Sequence, residues 1–300
     1  MSGRTTRKIK KEALFVRKNI KISLAAATVT ALALGATACG TASDPAKKSE
    51  AGKVDESKAL VVAASPTPHG DILNYVKTEL AAKAGLKLEV KEFSDYVLPN
   101  TATQSGEVDA NFFQHKPYLD DFNKKQKTDI VPVANVELEP LALYSKTVKD
   151  LGDLKAGQTV AVPNDTTNEG RALHLLADNG VIVLKDGVGT DAKLSDIKDK
   201  KGLEFKELEA ATLPRALADV DAAVINGNFA LQADLKPAKD SLAIEKADGN
   251  PYANFLAVKK GNEKDPRVEK LAKLLQSDEV KKFIEGKYDG AVVPSFGPVK

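Results

Sequence analysis

The stretch Ala59-Leu-Val-Val-Ala-Ala-Ser-Pro-Thr-Pro-His-Gly-Asp-Ile-Leu-Asn-Tyr-Val-Lys-Thr-Glu-Leu-Ala-Ala-Lys-Ala-Gly85 decides the fold class. It opens on an apolar run of strand length, Ala59 to Ala64, which Ser65-Pro-Thr-Pro68 ends. Ile72, Leu73, Val76, Leu80 and Ala84 then recur at the spacing of one helix face. Asp71 suits the opening turn of that helix and Gly85 its C-terminal stop. From Leu86 to Phe93 the pattern alternates as in a strand.

The same alternation continues downstream. Val108-Asp-Ala110, Leu141 to Tyr144, Thr159 to Val162, Ala222 to Ile225 and Asn254 to Lys259 read as strands. Asn168 to Gly180 reads as a helix with Leu173, Leu176 and Ala177 on one face, and Val268 to Ile284 as one long amphipathic helix. Strands separated by helices predict an α/β protein with parallel-rich sheets covered on both faces. The folded part, about 240 residues, is large for one such sheet and comfortable for two lobes. Proteins of that kind bind ligands in the crevice at the strand C-termini.

Upstream of the fold, residues 1–21 hold eight basic side chains (Arg4, Arg7, Lys8, Lys10, Lys11, Arg17, Lys18 and Lys21) against Glu12. An apolar run from Ile22 to Leu34 follows, then Gly35-Ala-Thr-Ala38 and Cys39. Residues 1–38 thus read as a secretory signal, and the apolar run is shorter than a spanning helix needs. Cys39 is the only cysteine of the chain. Its setting resembles the lipobox of bacterial lipoproteins, with Ala36 where that motif prefers Leu, and so implies a diacylated N-terminus. Residues 39–58 are small and charged and read as a flexible tether. The expected location is the extracytoplasmic face of the cell membrane, held by lipid.

The formal charge of the chain is +2, but the leader carries more than this excess, so the remainder is acidic. There is no basic stripe, and a nucleic-acid partner is not expected. One cysteine excludes an internal disulfide, and three histidines leave little for a metal centre. The chain shows no Gly-rich phosphate loop, no G-x-S-x-G elbow and no H-E-x-x-H. Neither an enzyme nor a cofactor or metal protein is expected.

Aromatic, amide and arginine side chains carry the remaining information. Tyr96, Phe113, His115 and Tyr118 lie close together in a chain with no Trp. The segment Asp109-Ala-Asn-Phe-Phe-Gln-His-Lys-Pro-Tyr118 looks too polar for a buried element, so its rings are expected to line a wet cleft. In Val162-Pro-Asn-Asp-Thr-Thr-Asn-Glu-Gly-Arg171 a strand runs through a polar turn into a helix beginning near Asn168. Free N–H groups there suit a carboxylate, and Arg171 can grip one in a bidentate fork; a surface arginine or a salt bridge is the alternative. Asn226 and Asn254 sit at strand edges, where an amide carbonyl can accept from an ammonium group. Asn228 is accounted for by turn formation.

Several segments, in this order, resemble the substrate-binding lipoproteins of methionine ABC importers, the NlpA lipoprotein family. They are Asp95-Tyr-Val-Leu-Pro-Asn100, Asp109 to Leu119, Val160 to Arg171, Glu207-Leu-Glu-Ala210 with Leu213-Pro-Arg215, and Ala223-Val-Ile-Asn226. Pro68-His-Gly-Asp-Ile-Leu73 is similar to the family's start, with Gly70 and Asp71 where a small residue and Glu are usual. The resemblance covers nearly all of residues 60–300. It implies a two-lobed type II periplasmic-binding-protein fold: lobe one over 59–140 and 251–300, lobe two over 141–250, and a ligand cleft between them. It implies capture of L-methionine, or of D-methionine or a close analogue, and delivery to an importer's permease and ATPase. By the same resemblance Asn168 and Arg171 would hold the carboxylate, Asn226 the ammonium, and Asn254 would complete the polar end. Tyr96, Phe113, His115 and Tyr118 would enclose the side chain. Phe112 stands where the family often has a small residue, and would either tighten the pocket or point into the lobe. The same receptor class with another small amino acid or a methionine-containing dipeptide, and a surface lipoprotein without a transport role, are the alternative readings.

Overall fold

The computed structural model describes residues 54–299; the signal, Cys39 and most of the tether lie outside the described residues. The first strand, β1 (Leu60–Ala64), pairs parallel with β2 (Leu88–Glu92) and with β3 (Ala110–His115). Between β1 and β2 runs α1 (Asp71–Tyr75), extended at both ends by wider turns, Pro66–Gly70 and Val76–Leu80. Next come α2 (Leu98–Ser105), α3 (Lys116–Gln126) and β4 (Ile130–Leu138).

The chain then builds a second sheet. Its elements are β5 (Ala142–Tyr144), β6 (Thr159–Pro163), α4 (Thr166–Asp178), the small β7 (Val183–Leu184) and β8 (Ile197–Asp199) pair, β9 (Glu204–Leu208), α5 (Leu213–Ala216), β10 (Ala222–Ile225), α6 (Gly227–Gln232), α7 (Pro237–Asp240) and β11 (Ser241–Ile244). Finally β12 (Asn254–Lys259), α8 (Pro266–Leu275), α9 (Asp278–Tyr288) and β13 (Val293–Gly297) return to the first. The strand orders are β13-β4-β12-β3-β1-β2 and β11-β5-β10-β6-β9. This is the expected two-lobed α/β architecture, with two passages between lobes, one after β4 and one after β11.

Strand alternation explains why both faces of the second sheet are covered. Leu141, Leu143, Val160, Val162 and Val224 pack with Leu173 and Leu176 of α4. The intervening Ala142, Tyr144, Ala161, Ala223 and Ile225 pack on the other side with Leu213 and Phe229. In the first sheet Leu60, Val62, Leu256 and Val258 meet Ile72, Leu73 and Val76. Burial of each such side chain contributes roughly 1.5–3 kcal/mol.

Three expectations are corrected. The polar segment around Phe112 is not a loop: residues 110–115 form β3, buried throughout, in the middle of the first sheet. Its polar side chains are buried because they satisfy one another. Gln114 Nε2 donates to Asn100 Oδ1 (2.7 Å) and Asn111 Oδ1 (2.9 Å), Asn100 Nδ2 donates to Gln114 Oε1 (2.8 Å), and Asn111 Nδ2 donates to Thr103 Oγ1 (2.8 Å). Residues 268–284 form two helices, not one. Ser277 Oγ caps the second by accepting from the Val280 N–H, so Leu271 and Leu275 of α8 and Val280 and Ile284 of α9 enter the same core from separate axes. The helix carrying Arg171 starts before Asn168, at Thr166, because Asp165 is its N-cap and accepts from the Asn168 N–H at 3.0 Å.

That helix is seated by a close approach at Gly170. A Cβ there would overlap the Thr190 carbonyl oxygen and lie 2.9 Å from Ala192 N. Gly170→Ala is expected to destabilise the protein by roughly 1–3 kcal/mol and to displace Arg171 beside it. Thermal unfolding checks this: a melting temperature within a degree of wild type would show that the backbone yields there.

Candidate functional site

A cleft of about 350 Å³, its solvent-open mouth included, lies where the ends of β3 and β10 and the start of β12 meet the first turns of α4 and α6. Tyr96, Phe113, His115, Tyr118, Asn168, Arg171, Asn226 and Asn254 all border it, with Gln114, Glu139, Gly227 and Asn228. The eight side chains singled out in the sequence thus converge on one space. Phe112 does not join them. It is fully buried in the core of the first lobe, edge-on to His69 at 4.7 Å.

One wall is aromatic. Tyr96, Phe113 and Tyr118 lie about a ring apart, with centroids separated by 5.8–6.1 Å. Tyr118 Oη donates to the Tyr96 carbonyl (2.9 Å), and Tyr96 Oη crosses to the other lobe to donate to Asn228 Oδ1 (2.6 Å). Burial raises the pKa of both phenols, so both stay neutral donors. Asn228 is therefore more than a turn residue: it is buried in α6 and bonded across the cleft.

His115 caps α3 through Nδ1, which accepts from the Tyr118 N–H at 3.2 Å. That bond leaves the proton on Nε2, which donates to Asn168 Oδ1 at 3.2 Å. Burial first, and then the charge of Arg171, hold its pKa down at about 3. Asn168 is a hub. Its Oδ1 also accepts from Asn226 Nδ2 (2.9 Å), and its Nδ2 reaches both oxygens of Asp165 (2.9 and 3.0 Å). Asn226 Oδ1 is buried with no partner among the described residues, an acceptor left for another donor.

Arg171 is buried, and its internal partners come from residues that carry no signal in sequence. Nε donates to Glu245 Oε1 (2.8 Å), and Nη2 donates to Glu245 Oε2 (2.6 Å) and to the Glu139 carbonyl (2.9 Å). The Tyr252 ring lies 4.3 Å from the guanidinium carbon. Arg171 is thus not a surface arginine, and its salt bridge is internal. The Nε–Nη2 edge makes a bidentate internal salt bridge, and Nη1 has no partner among the described residues.

Behind the cleft stands a second buried group. His69 Nε2 lies 3.1 Å from Glu137 Oε1, 3.3 Å from Glu139 Oε1 and 3.2 Å from Asn254 Nδ2. These three acid and imidazole side chains bring ligating atoms within 4.8 Å of one another, close enough for a divalent cation. The imidazole speaks against one. Among the described residues its Nδ1 is buried without the acceptor that normally orients a metal-bound ring, and an amide N–H already faces its Nε2. Burial first, and then the charge of Glu137, push the Glu139 carboxyl above its ordinary range, against the opposing pull of Arg171. The signal for this group was the alternation Val136-Glu-Leu-Glu139, which puts two acids on one face of an apolar strand.

The NlpA lipoprotein family model matches residues 60–296. The chain belongs to the NlpA lipoprotein family. Within that family it is 44% identical over 243 residues to the methionine-binding lipoprotein MetQ of Bacillus subtilis, covering 79% of this chain and 88% of the relative. It is 41% identical over 227 residues to the membrane lipoprotein TpN32 of Treponema pallidum, covering 75% and 84%. Among solved structures, a nutrient binding protein from Burkholderia cenocepacia bound to methionine superposes with a TM-score of 0.77 at 46% identity, over 79% of this chain and 100% of that one. Among the described residues no helix is long and apolar enough to cross a membrane.

The tautomer of His115 is open to direct observation. Nitrogen-detected imidazole NMR is expected to show Nε2 protonated and the ring neutral and unchanged from pH 8 to pH 5. A titration midpoint near the ordinary histidine value would contradict the burial and bonding described above.

Proposed function

We propose that this NlpA-family protein is a non-enzymatic, extracytoplasmic receptor that captures methionine and delivers it to an ABC importer. One observation carries the proposal. Among the residues bordering the cleft, Arg171 is the only permanent cation and Glu139 the only acid, and the opposite wall is made of aromatic rings. A zwitterion with an apolar side chain complements that arrangement end for end. Buried opposite charges hold a zwitterion only if each is answered. Aromatic edges also favour a thioether sulfur by roughly 0.3–1.5 kcal/mol over an ordinary apolar contact.

In this reading Nη1 of Arg171 takes the carboxylate. Asn168 holds Asn226 and His115 in place, and Asn226 Oδ1 and Asn254 serve the amino end. Tyr96, Phe113, His115 and Tyr118 surround the side chain. The methionine named for the Bacillus subtilis relative and present in the Burkholderia cenocepacia structure supports the same ligand here. The leader and Cys39, together with the lipoprotein names of the relatives, support a lipid anchor that holds the receptor near a permease and its ATPase.

Arg171→Ala is expected to lower methionine affinity at least about a hundredfold, because the buried ligand carboxylate loses its counter-charge, a loss of roughly 3–5 kcal/mol. Isothermal calorimetry decides, and near-normal affinity would overturn the assignment of the carboxylate end. Mass spectrometry of ligand released on denaturing the wild-type protein identifies the natural occupant directly. Cys39→Ala is expected to move the protein from the membrane to the soluble fraction; continued retention would mean that an uncleaved leader holds it.

A further inference from the structure

The cluster of His69, Glu137 and Glu139 reaches the cleft through Glu139, the one acid among the residues that border it. His69 Nε2 can present one N–H or one lone pair, never both. Three groups crowd that atom: Glu137 Oε1 at 3.1 Å, Glu139 Oε1 at 3.3 Å and the Asn254 amide at 3.2 Å. If Nε2 carries a proton, it can satisfy only one of the two carboxylates. If it accepts from Asn254, neither carboxylate receives the imidazole proton, and Glu139 keeps the Asn254 amide, 3.3 Å from its Oε1, and the Asn228 backbone N–H. Glu137 and Glu139 are 0% and 5% exposed, and among the described residues neither oxygen of Glu137 has a hydrogen-bond partner. Two ionised carboxylates so placed would share neutral amide donors and one imidazole, too little for two buried charges, so the cluster holds a proton that neither solvent nor Arg171 replaces. Arg171 is already answered by Glu245.

We propose that Glu139 is the carboxylate that receives the ligand's ammonium group, and that it releases a proton to do so. This rests on the amino-acid receptor reading. In the empty site Glu139 is a neutral carboxyl. When the zwitterion enters, the O–H bond of Glu139 breaks, the proton leaves to solvent, and the ammonium takes its place against the carboxylate. Glu137 and His69 stay behind as the pair that keeps Glu139 from ionising alone. The charged and titratable groups facing Glu139 are Glu137 from β4, His69 from the segment before α1, Arg171 from α4 and Tyr96 from the loop before α2. Gly227 lets α6 close over it, since a Cβ there would lie 2.7 Å from Glu139 Oε2.

The sign of the pH dependence follows. The carboxyl of the free protein is raised by burial and by Glu137, and the bound ammonium lowers it again. Affinity is therefore greatest at high pH, and it falls as pH drops through the raised value of the free protein, by up to about tenfold per unit.

Calorimetry of ligand-free full-length protein tests this, with L-methionine and its 2-hydroxy analogue in phosphate and in Tris between pH 5 and pH 8. Wild type is expected to release a proton on binding methionine but not the hydroxy analogue, and to prefer methionine by at least about a hundredfold. In Glu139→Gln both the proton release and most of that preference disappear, while the hydroxy analogue, which never used the carboxylate, still binds and reports an intact site. Methionine binding without proton release at any pH, or an unchanged preference in Glu139→Gln, would overturn the inference alone. So would a stoichiometric divalent metal in the purified protein, since the cation would then balance the two acids. Wild-type protein that binds neither compound would overturn the receptor reading, and this inference with it.

Discussion

The pairing of Arg171 with Glu245 governs both passages of the chain between its two sheets. Glu245 directly follows β11, and its Oε2 accepts from the Leu141 N–H (2.9 Å) at the first passage and from Asn250 Nδ2 (3.1 Å) in the second. Arg171 Nη2 bonds the Glu139 carbonyl of the first passage, and the ring of Tyr252 in the second lies against the guanidinium. One buried ion pair thus fixes where the chain leaves the first lobe and where it returns. An isolated buried charge would cost far more than any hydrogen bond it could make, so the arrangement holds only with every partner in place.

That constraint sets the chemistry of the cleft. Arg171 enters at the first turns of α4, where its charge opposes the helix dipole. Glu245 pulls against that opposition, and Asp165 at the N-cap adds the negative end the dipole prefers. With one edge of the guanidinium held, the remaining edge has a fixed direction. The amides of Asn168 and Asn226 and the imidazole of His115 then form a chain of neutral groups whose orientations determine one another. In this arrangement each polar group is oriented by its neighbours, and groups so preorganised discriminate between ligands better than freely rotating ones.

Much of the fold was legible because its strands are short apolar runs that end abruptly. The runs at 222–225 and 254–259 are strands over those same residues. The aromatic and amide residues of the cleft also stood out, since rings are few in this chain. What stayed hidden depends on partners distant in sequence. Asn111 and Gln114 look like loop residues until Asn100 and Thr103 of α2 are placed beside them. The break between α8 and α9, by contrast, is written in the sequence: at about 100° per residue Ile284 sits roughly 220° round the axis from Leu271, so no single helix turns both into one core. Glu245 and Tyr252 lie in no pattern at all, and only the return of the chain brings them to Arg171.

The cleft draws its residues from both lobes, and this joins ligand capture to the arrangement of the lobes. Tyr96, Phe113, His115 and Tyr118 belong to the first sheet and its helices; Asn168, Arg171, Asn226 and Asn228 belong to the second. Tyr96 to Asn228 and His115 to Asn168 are bonds between the two groups. On the proposed reading, neither lobe alone would present a carboxylate site, an ammonium site and an apolar wall. A ligand that touches all three adds its own bonds to those already crossing the cleft. It can shift the lobes toward this arrangement only by the difference in its affinity for the joined and parted states. On the proposed reading most of that difference would lie in the charged ends, because a parted cleft would return Arg171 Nη1 and Glu139 to water, where a zwitterion would gain little from either.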